Sequence, residues 1–285
     1  MFRCGVVSVS FEFFFFKILF IPTISHLKLK KMQVTFLGTG TSQGVPVIAC
    51  GCEVCQSLDF RDKRLRVSIY IEVDGKSFVV DTGPDFRQQM LRERVKSVDA
   101  ILFTHEHKDH TAGLDDVRAY NFFQKCDMPI YGRKHVLEQL KQEFHYAFTE
   151  VKYPGTPQLT LNEIQNQPFQ AEGISILPIE VMHYKLPVFG FRIKDFTYIT
   201  DVNFISDEEL EKVKGSKVVV IGALRKQEHL SHFTLSQAVA VLEKIAPEQG
   251  FITHISHQMG LHREVNKELP ANISLAYDGL VINLY

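Results

Sequence analysis

Residues 105–110 (His105, Glu106, His107, Lys108, Asp109, His110) place three imidazoles and a carboxylate within six positions. One His alone would read as structural or solvent-exposed. Four ligand-type residues this close read as a metal site, because neutral imidazole is the commonest metal-binding side chain. The spacing carries further content. His105 and His107 are two apart, so in an extended backbone their side chains leave the same face and can grip one cation together. Asp109 and His110 follow where the chain turns and point to a second position nearby. A cluster that splits into two pairs suits two ions about 3.5–4 Å apart.

Such a cluster has to be set on something. Residues 100–103 are a short apolar run that reads as a buried strand, and after Gly113 residues 114–123 have helical character. Three more ligand types share the position of His105, each just after an apolar strand: His183 behind residues 174–181, Asp201 behind 196–200 and His254 behind 251–253. Strand ends along one sheet edge pool their side chains in a single crevice. The expected arrangement puts His105, His107 and His183 on one ion and Asp109, His110 and His254 on the other. Asp201 bridges, one carboxylate having two oxygens to share.

Three other stretches carry chemistry. Cys50, Cys52 and Cys55 put three thiols in six positions and suit a tetrahedral zinc with one ligand still to come. Gly38-Thr39-Gly40-Thr41-Ser42-Gln43-Gly44 could expose backbone N–H groups to an anion or be only a tight turn; it lacks the lysine of a P-loop. Asp81, ending a strand over 77–81, either orients a metal-bound His or caps a helix over 85–94.

The rest of the chain is ordinary in composition. Its 285 residues carry a net charge of −1 and are 45% hydrophobic, enough for one large domain or two small ones. There is no basic stripe or acidic tail, so duplex nucleic acid is not an expected partner. Five Cys, three of them between 50 and 55, are no secreted disulfide framework and fit a reducing, cytoplasmic setting. Residues 1–31 look foreign. The Phe-rich run 11–24 holds Glu12, Lys17 and Pro22, which makes it too short and too interrupted for a spanning helix, and no small-residue cleavage site follows. A single domain is expected over 32–285, with 1–31 an upstream translation artefact or a disordered extension.

Within that domain, strands are expected over 33–37, 67–73, 77–81, 128–131, 189–193, 196–200, 218–221 and 280–285. The second and third form a hairpin through Asp74-Gly75. Helices over 135–149 and 234–245 alternate with them, which argues for α/β sheets flanked by helices. Residues 153–170, rich in Pro, Gln and Asn, read as an exposed loop, and His135 and His145 as surface residues.

The 105–110 run, a lone His after a strand, an Asp after a strand and a late His together resemble the metallo-β-lactamase superfamily over nearly all of residues 32–285. The resemblance is closer to its PhnP-like branch, the cyclic phosphate phosphodiesterases of bacterial phosphonate breakdown. The matching residues are Gly38-Thr39-Gly40 with Gln43-Gly44-Val45-Pro46, the C-x-C-x-x-C at Cys50, Cys52 and Cys55, Thr253-His254-Ile255-Ser256-His257-Gln258, and Asp278-Gly279. The resemblance implies a four-layer αββα sandwich of two mixed sheets with the site at one edge. It supplies His257 as the fourth ligand of a structural zinc, a closed Cys₃His set. It also implies that His232 acts on the phosphate and the leaving group, making up the expected catalytic pair with Asp109. The branch has an Asp where this chain has Gly222; Glu228 is the candidate substitute for orienting His232.

The implied reaction is hydrolysis of a small phosphodiester, with a cyclic ribosyl phosphate as the branch's expectation, by a hydroxide shared between two divalent ions, Zn or Mn. His232, protonated, would donate to the departing oxygen. The alternative is tRNA 3′-end processing of the RNase Z kind, with the same ligands. Those enzymes carry a long tRNA-gripping arm between the lone His and the bridging Asp, whereas His183 and Asp201 are only eighteen positions apart. True β-lactamases commonly place Cys where Asp201 falls, and glyoxalase II-type thioesterases are not expected to carry the Cys₃His staple. A scaffold with an idle site is the non-catalytic rival. The expected partner is the small phosphodiester, with no membrane involved and a homodimer left open.

Overall fold

Two sheets of seven strands account for the apolar runs in a computed structural model of the chain, which describes residues 32–151 and 153–285. In spatial order the first sheet is Val281–Leu284 (β14), Met32–Gly38 (β1), Ser68–Val73 (β2), Lys76–Val80 (β3), Ala100–Leu102 (β4), Met128–Gly132 (β5) and Leu159–Glu163 (β6). The second is Ile273–Leu275 (β13), Gln249–Thr253 (β12), Val218–Gly222 (β11), Phe196–Ile199 (β10), Leu186–Ile193 (β9), Ile174–His183 (β8) and Phe169–Ala171 (β7). Each sheet is antiparallel over one half and parallel over the other. The parallel runs are β3 through β6 and β10 through β13. Parallel neighbours end at the same edge, and that edge carries the ligand-type residues.

Strand composition explains the layering. In β11, Val218 and Val220 face the other sheet while Val219 and Ile221 face the outer helices. Both faces are buried, so the strand is an unbroken apolar run rather than an alternating one. Phe36, Phe78, Phe189, Phe191 and Phe196 fill the space between the sheets. The helices Phe86–Arg92, Arg118–Gln124 and Lys134–Glu143 cover the first sheet, and Asp207–Val213, Leu235–Ile245 and His262–Glu268 cover the second. This is the expected four-layer αββα sandwich. Among the described residues no helix is long and apolar enough to cross a membrane.

Several local expectations change. Residues 153–170 are not all loop: β6 pairs parallel with β5 there. Leu159 and Ile164 are buried while the strand itself is polar enough to hide its period. The helix expected over 135–149 ends at Glu143, where Phe144 leaves helical backbone, and a 3₁₀ turn follows. His145 is exposed, but His135 is half-buried with Nε2 3.4 Å from the Glu106 carboxylate. The expectation for residues 1–31 lies outside the described residues.

Gly38-Thr39-Gly40 is a packing device. A Cβ on Gly38 would stand 1.9 Å from the Arg66 carbonyl oxygen, and one on Gly40 2.9 Å from those of Arg64 and Leu65. The N–H groups of Gly40, Thr41 and Gly44 are spent on Leu65, Ile255 and Thr41 carbonyls. Beneath the turn, Asp278 accepts from the Thr39 hydroxyl and the Leu65 N–H. Buried Arg64 donates to Thr39 Oγ1, to the Ala276 carbonyl and to His262 Nδ1 at 3.1 Å.

The last of these contacts requires a neutral imidazole. Burial, then the Arg64 charge, push His262 from 6.5 down to about 4. The unfolded chain takes up that proton near 6.5 and the folded one does not. The stability this group contributes is therefore complete above 6.5 and is lost as pH falls toward about 4. The size is about 3 kcal/mol. His262→Gln, which keeps an acceptor for Arg64 and cannot titrate, is expected to lose that much less unfolding free energy than the parent between neutral pH and about pH 4 in urea titrations. Parallel acid profiles would refute the assignment.

Candidate metal centre

His105 follows β4, His183 ends β8, Asp201 follows β10 and His254 follows β12, so four strand ends deliver to one place. His107, Asp109 and His110 come from the loop after β4 and the single turn Lys108–Thr111 that it winds into. The turn is seated by glycine: Cβ atoms on Gly83 and Gly113 would meet the carbonyl oxygens of Asp109 and Gly83 at 2.1 Å each. His254 itself holds a left-handed backbone, φ 57°, a strained conformation for a non-Gly residue.

The side chains gather in two groups. Ligand atoms of His105, His107 and His183 lie within 4.8 Å of one another, and so do those of Asp109, His110 and His254. Asp201 lies between the groups, with Oδ2 3.2 Å from His110 Nε2 and Oδ1 3.1 Å from His254 Nε2 and 3.8 Å from His183 Nε2. On the other side, Asp109 Oδ2 is 3.3 Å from His110 Nε2 and 3.8 Å from His254 Nε2. All seven residues named from the sequence are brought together.

Hydrogen-bond accounting fixes which nitrogen faces inward. Asp81 accepts from the Thr104 N–H, the Thr104 hydroxyl and His110 Nδ1, the last at 2.7 Å. His110 therefore carries its proton on Nδ1 and turns the Nε2 lone pair to the centre. The Thr104 hydroxyl, already donating to Asp81, accepts from His105 Nδ1 at 3.0 Å, which aims His105 Nε2 inward too. His183 Nδ1 donates to the Ser231 carbonyl at 2.8 Å. Asp81 thus orients a ligand-type His and does not cap the helix after it. Thr104 and Ser231 escaped the sequence reading. A hydroxyl directly before the first His was the only available signal.

The donor set fits a cation. His105 Nε2 and His107 Nδ1 are 3.0 Å apart with His105 already protonated elsewhere. His110 Nε2 and His254 Nε2 are buried and make no hydrogen bond although carboxylate oxygens are near. Inward lone pairs without donors, beside two carboxylates, are what divalent metals take. Without an ion, the carboxylates draw protons onto the facing imidazoles, in the places a cation would take: burial opposes the charging of His110, yet Asp109 and Asp201 raise it well above 6.5. Burial opposes ionisation of Asp109 and Asp201, but the facing His110 and His254 outweigh it and hold both carboxyls well below the usual range. Burial likewise opposes the charging of His254, yet Asp201 and Asp109 raise it to about 9.

A second cluster lies next to the centre. The thiols of Cys50, Cys52 and Cys55 stand 3.3, 3.3 and 3.6 Å from His257 Nδ1. Zinc with bonds of about 2.3 Å to sulfur and about 2.0 Å to nitrogen separates tetrahedral ligands by roughly 3.5–3.8 Å. The set fits with little adjustment. Cys52 is held down to about 6, first by the Cys55 backbone N–H and then by His257.

His232 sits against the centre. Its ring lies 4.6 Å from that of His183 and is stacked 4.8 Å from that of His254, and its Nδ1 is 3.9 Å from Asp201 Oδ1. Its ligand atom also groups with those of His183 and Asp201. Glu228 does not orient it. Of that residue, the backbone carbonyl is in use, accepting from Arg225. Gly222 closes over the next strand end, where a Cβ would stand 3.2 Å from Asp201 N. Burial and the His254 charge push His232 down to about 3.

Known proteins share this architecture. Residues 76–255 match the beta-lactamase superfamily domain. A solved structure described as a new diphosphatase from the PhnP family is 38% identical, superposes with a TM-score of 0.84, and shares 89% of this chain and 97% of its own. An octanoyltransferase of Porphyromonas gingivalis is 40% identical over 252 residues, which are 87% of this chain and 51% of that protein. A ribonuclease Z of Halalkalibacterium halodurans is 28% identical over 170 residues, 58% of this chain and 49% of that protein. The chain thus spans about half the length of these two curated relatives.

Proposed function

This chain belongs to the PhnP family of the metallo-β-lactamase superfamily, a hydrolase family, and we propose that it is a metal-dependent phosphodiesterase acting on a small phosphodiester. The observation that carries the reading is the pair of three-residue groups facing each other across one carboxylate, Asp201. His105, His107 and His183 would hold one ion, Asp109, His110 and His254 a second, and Asp201 both. Cys50, Cys52, Cys55 and His257 would hold a structural zinc. Zn or Mn suits the nitrogen and oxygen donors of the centre. Bound there, such ions lower the pKa of water toward about 7 and offset charge on phosphoryl oxygens.

The chain's own groups do the rest. Asp81, Thr104 and the Ser231 carbonyl keep three imidazoles in the tautomer whose lone pair faces inward. Asp109 and Asp201 keep their negative charge through the neutral range, so the ligand set needs no proton loss from a carboxyl. Burial and the neighbouring imidazoles favour neutral His232, while the Asp201 carboxylate 3.9 Å away favours its charged form. A proton held on this ring would be donated to the departing oxygen.

A ribonuclease Z reading has the similarity of that relative in its favour. Against it, the interval between His183 and Asp201 is taken up by β9 and β10, turning at Tyr184-Lys185, with no room for an arm. The test is metal analysis of purified protein together with assays on bis-(p-nitrophenyl) phosphate, a cyclic ribosyl phosphate and precursor tRNA, with Zn²⁺ or Mn²⁺ added. About three ions per chain and turnover of the small diesters are expected. Inertness toward every diester with either metal would refute the phosphodiesterase reading, and cleavage of the tRNA alone would favour the ribonuclease.

A further inference from the structure

Beside His232, on the flank toward the cysteine cluster, lies a cavity of about 290 Å³ lined by polar groups, among them Ser42, Gln43, Arg225, His229 and Gln258. Arg225 is tethered there by three bonds: Nε to the Gln227 carbonyl at 3.3 Å, Nη1 to Gln258 Oε1 at 2.6 Å and Nη2 to the Glu228 carbonyl at 2.8 Å. A guanidinium has five N–H groups, so one remains on each terminal nitrogen. No carboxylate among the described residues pairs with Arg225, whereas the adjoining Lys226 is paired with Glu268 at 2.6 Å. The side chains of Ser42 and Gln43 are exposed.

The opposite flank differs. The cavity beside His107 and His183 is walled by Tyr184 and Leu186, with Lys185 at its side. A substrate lying across the centre therefore meets Tyr184, Leu186 and Lys185, whose ammonium lies 5.3 Å from the Tyr184 ring, on one hand and an arginine held by three hydrogen bonds on the other. An ordinary surface arginine is mobile and solvated. One held by three hydrogen bonds loses little entropy on binding and offers a preorganised fork to two oxygens.

We propose that Arg225 is a specificity-determining residue that binds a second anionic oxygen group of the substrate, a phosphate joined to the phosphoryl group that His232 serves. The assignment rests on the phosphodiesterase reading and narrows it to diesters carrying two phosphates. Ser42 and Gln43 complete the cradle.

The experiment compares kcat/KM for diadenosine diphosphate and for a dinucleoside monophosphate in the parent and in Arg225→Ala and Arg225→Lys. The parent is expected to prefer the diphosphate. In Arg225→Ala the ratio of the two constants falls about 10- to 100-fold, mostly through KM for the diphosphate, and Lys restores part of it. An unchanged ratio overturns the proposal, including one where both constants drop together, as a merely loosened 225–231 loop would give. A parent that hydrolyses the monophosphate but not the diphosphate overturns it as well. A parent inert toward both yet active on bis-(p-nitrophenyl) phosphate overturns this proposal and leaves the phosphodiesterase reading standing, whereas inertness toward all three refutes that reading too.

Discussion

Asp201→Asn is expected to lower phosphodiester turnover by about 10²- to 10⁴-fold and to leave the purified protein short of at least one ion. Asp201 is buried between His110 and His254, with oxygens 3.2 and 3.1 Å from their Nε2 atoms. Removing one group that stabilises charge at a reacting centre raises the barrier by about 2.7–4 kcal/mol, and an ion lost with it adds to that. At 1.36 kcal/mol per tenfold, that converts to the range given. Asn keeps the volume and one acceptor oxygen, so the fold should stand, as far-UV circular dichroism can check. Zinc at the cysteine cluster should also stay, since none of its ligands touches Asp201. A variant that retains every ion and turns over within about threefold of the parent would show that the carboxylate bridges nothing.

The position of Asp201 was legible in the sequence for a general reason. Ligand-type residues directly after apolar strands announce a sheet edge, and a parallel sheet needs nothing more to bring them together. His105, His107, Asp109 and His110 were easier still, being local in the chain. His257 was not, since three residues past His254 it could serve either cluster, and only the likeness to PhnP proteins assigned it. Its Nδ1, 3.3 Å from Cys50 and Cys52, now gives that pairing a geometry.

What stayed hidden depends on who meets whom across the fold. Asp81 read equally as an orienting group or a cap until its bonds to Thr104 and His110 were seen. Gly38-Thr39-Gly40 had the composition of an anion loop. The distinction lies in the Arg64, Leu65 and Arg66 carbonyls packed against it, residues more than twenty positions away. β6 was lost because its apolar residues are few and its neighbours are turn formers, so parallel pairing with β5 overrode local preference. Arg225 had no signal at all, because an arginine is recognised as unpaired only after every carboxylate has been placed.

His232 is where the two kinds of information meet, and its replacement carries the second large effect. His232→Ala is expected to lower turnover by about 10²- to 10⁴-fold with metal content unchanged. The ring is held by packing between the imidazoles of His183 and His254. The family's orienting Asp is absent at Gly222, and a side chain there would crowd the Asp201 backbone. The donor is therefore placed by contact, and its contribution depends on what leaves. A p-nitrophenolate departs as a stable anion and needs little help, whereas a sugar alkoxide needs a proton in the transition state. The loss should accordingly be larger, by at least tenfold, for a ribosyl diester than for bis-(p-nitrophenyl) phosphate. Equal losses on both would make His232 a group that positions the phosphoryl oxygens. Loss of an ion instead would make it a ligand, the role its grouping with His183 and Asp201 also permits.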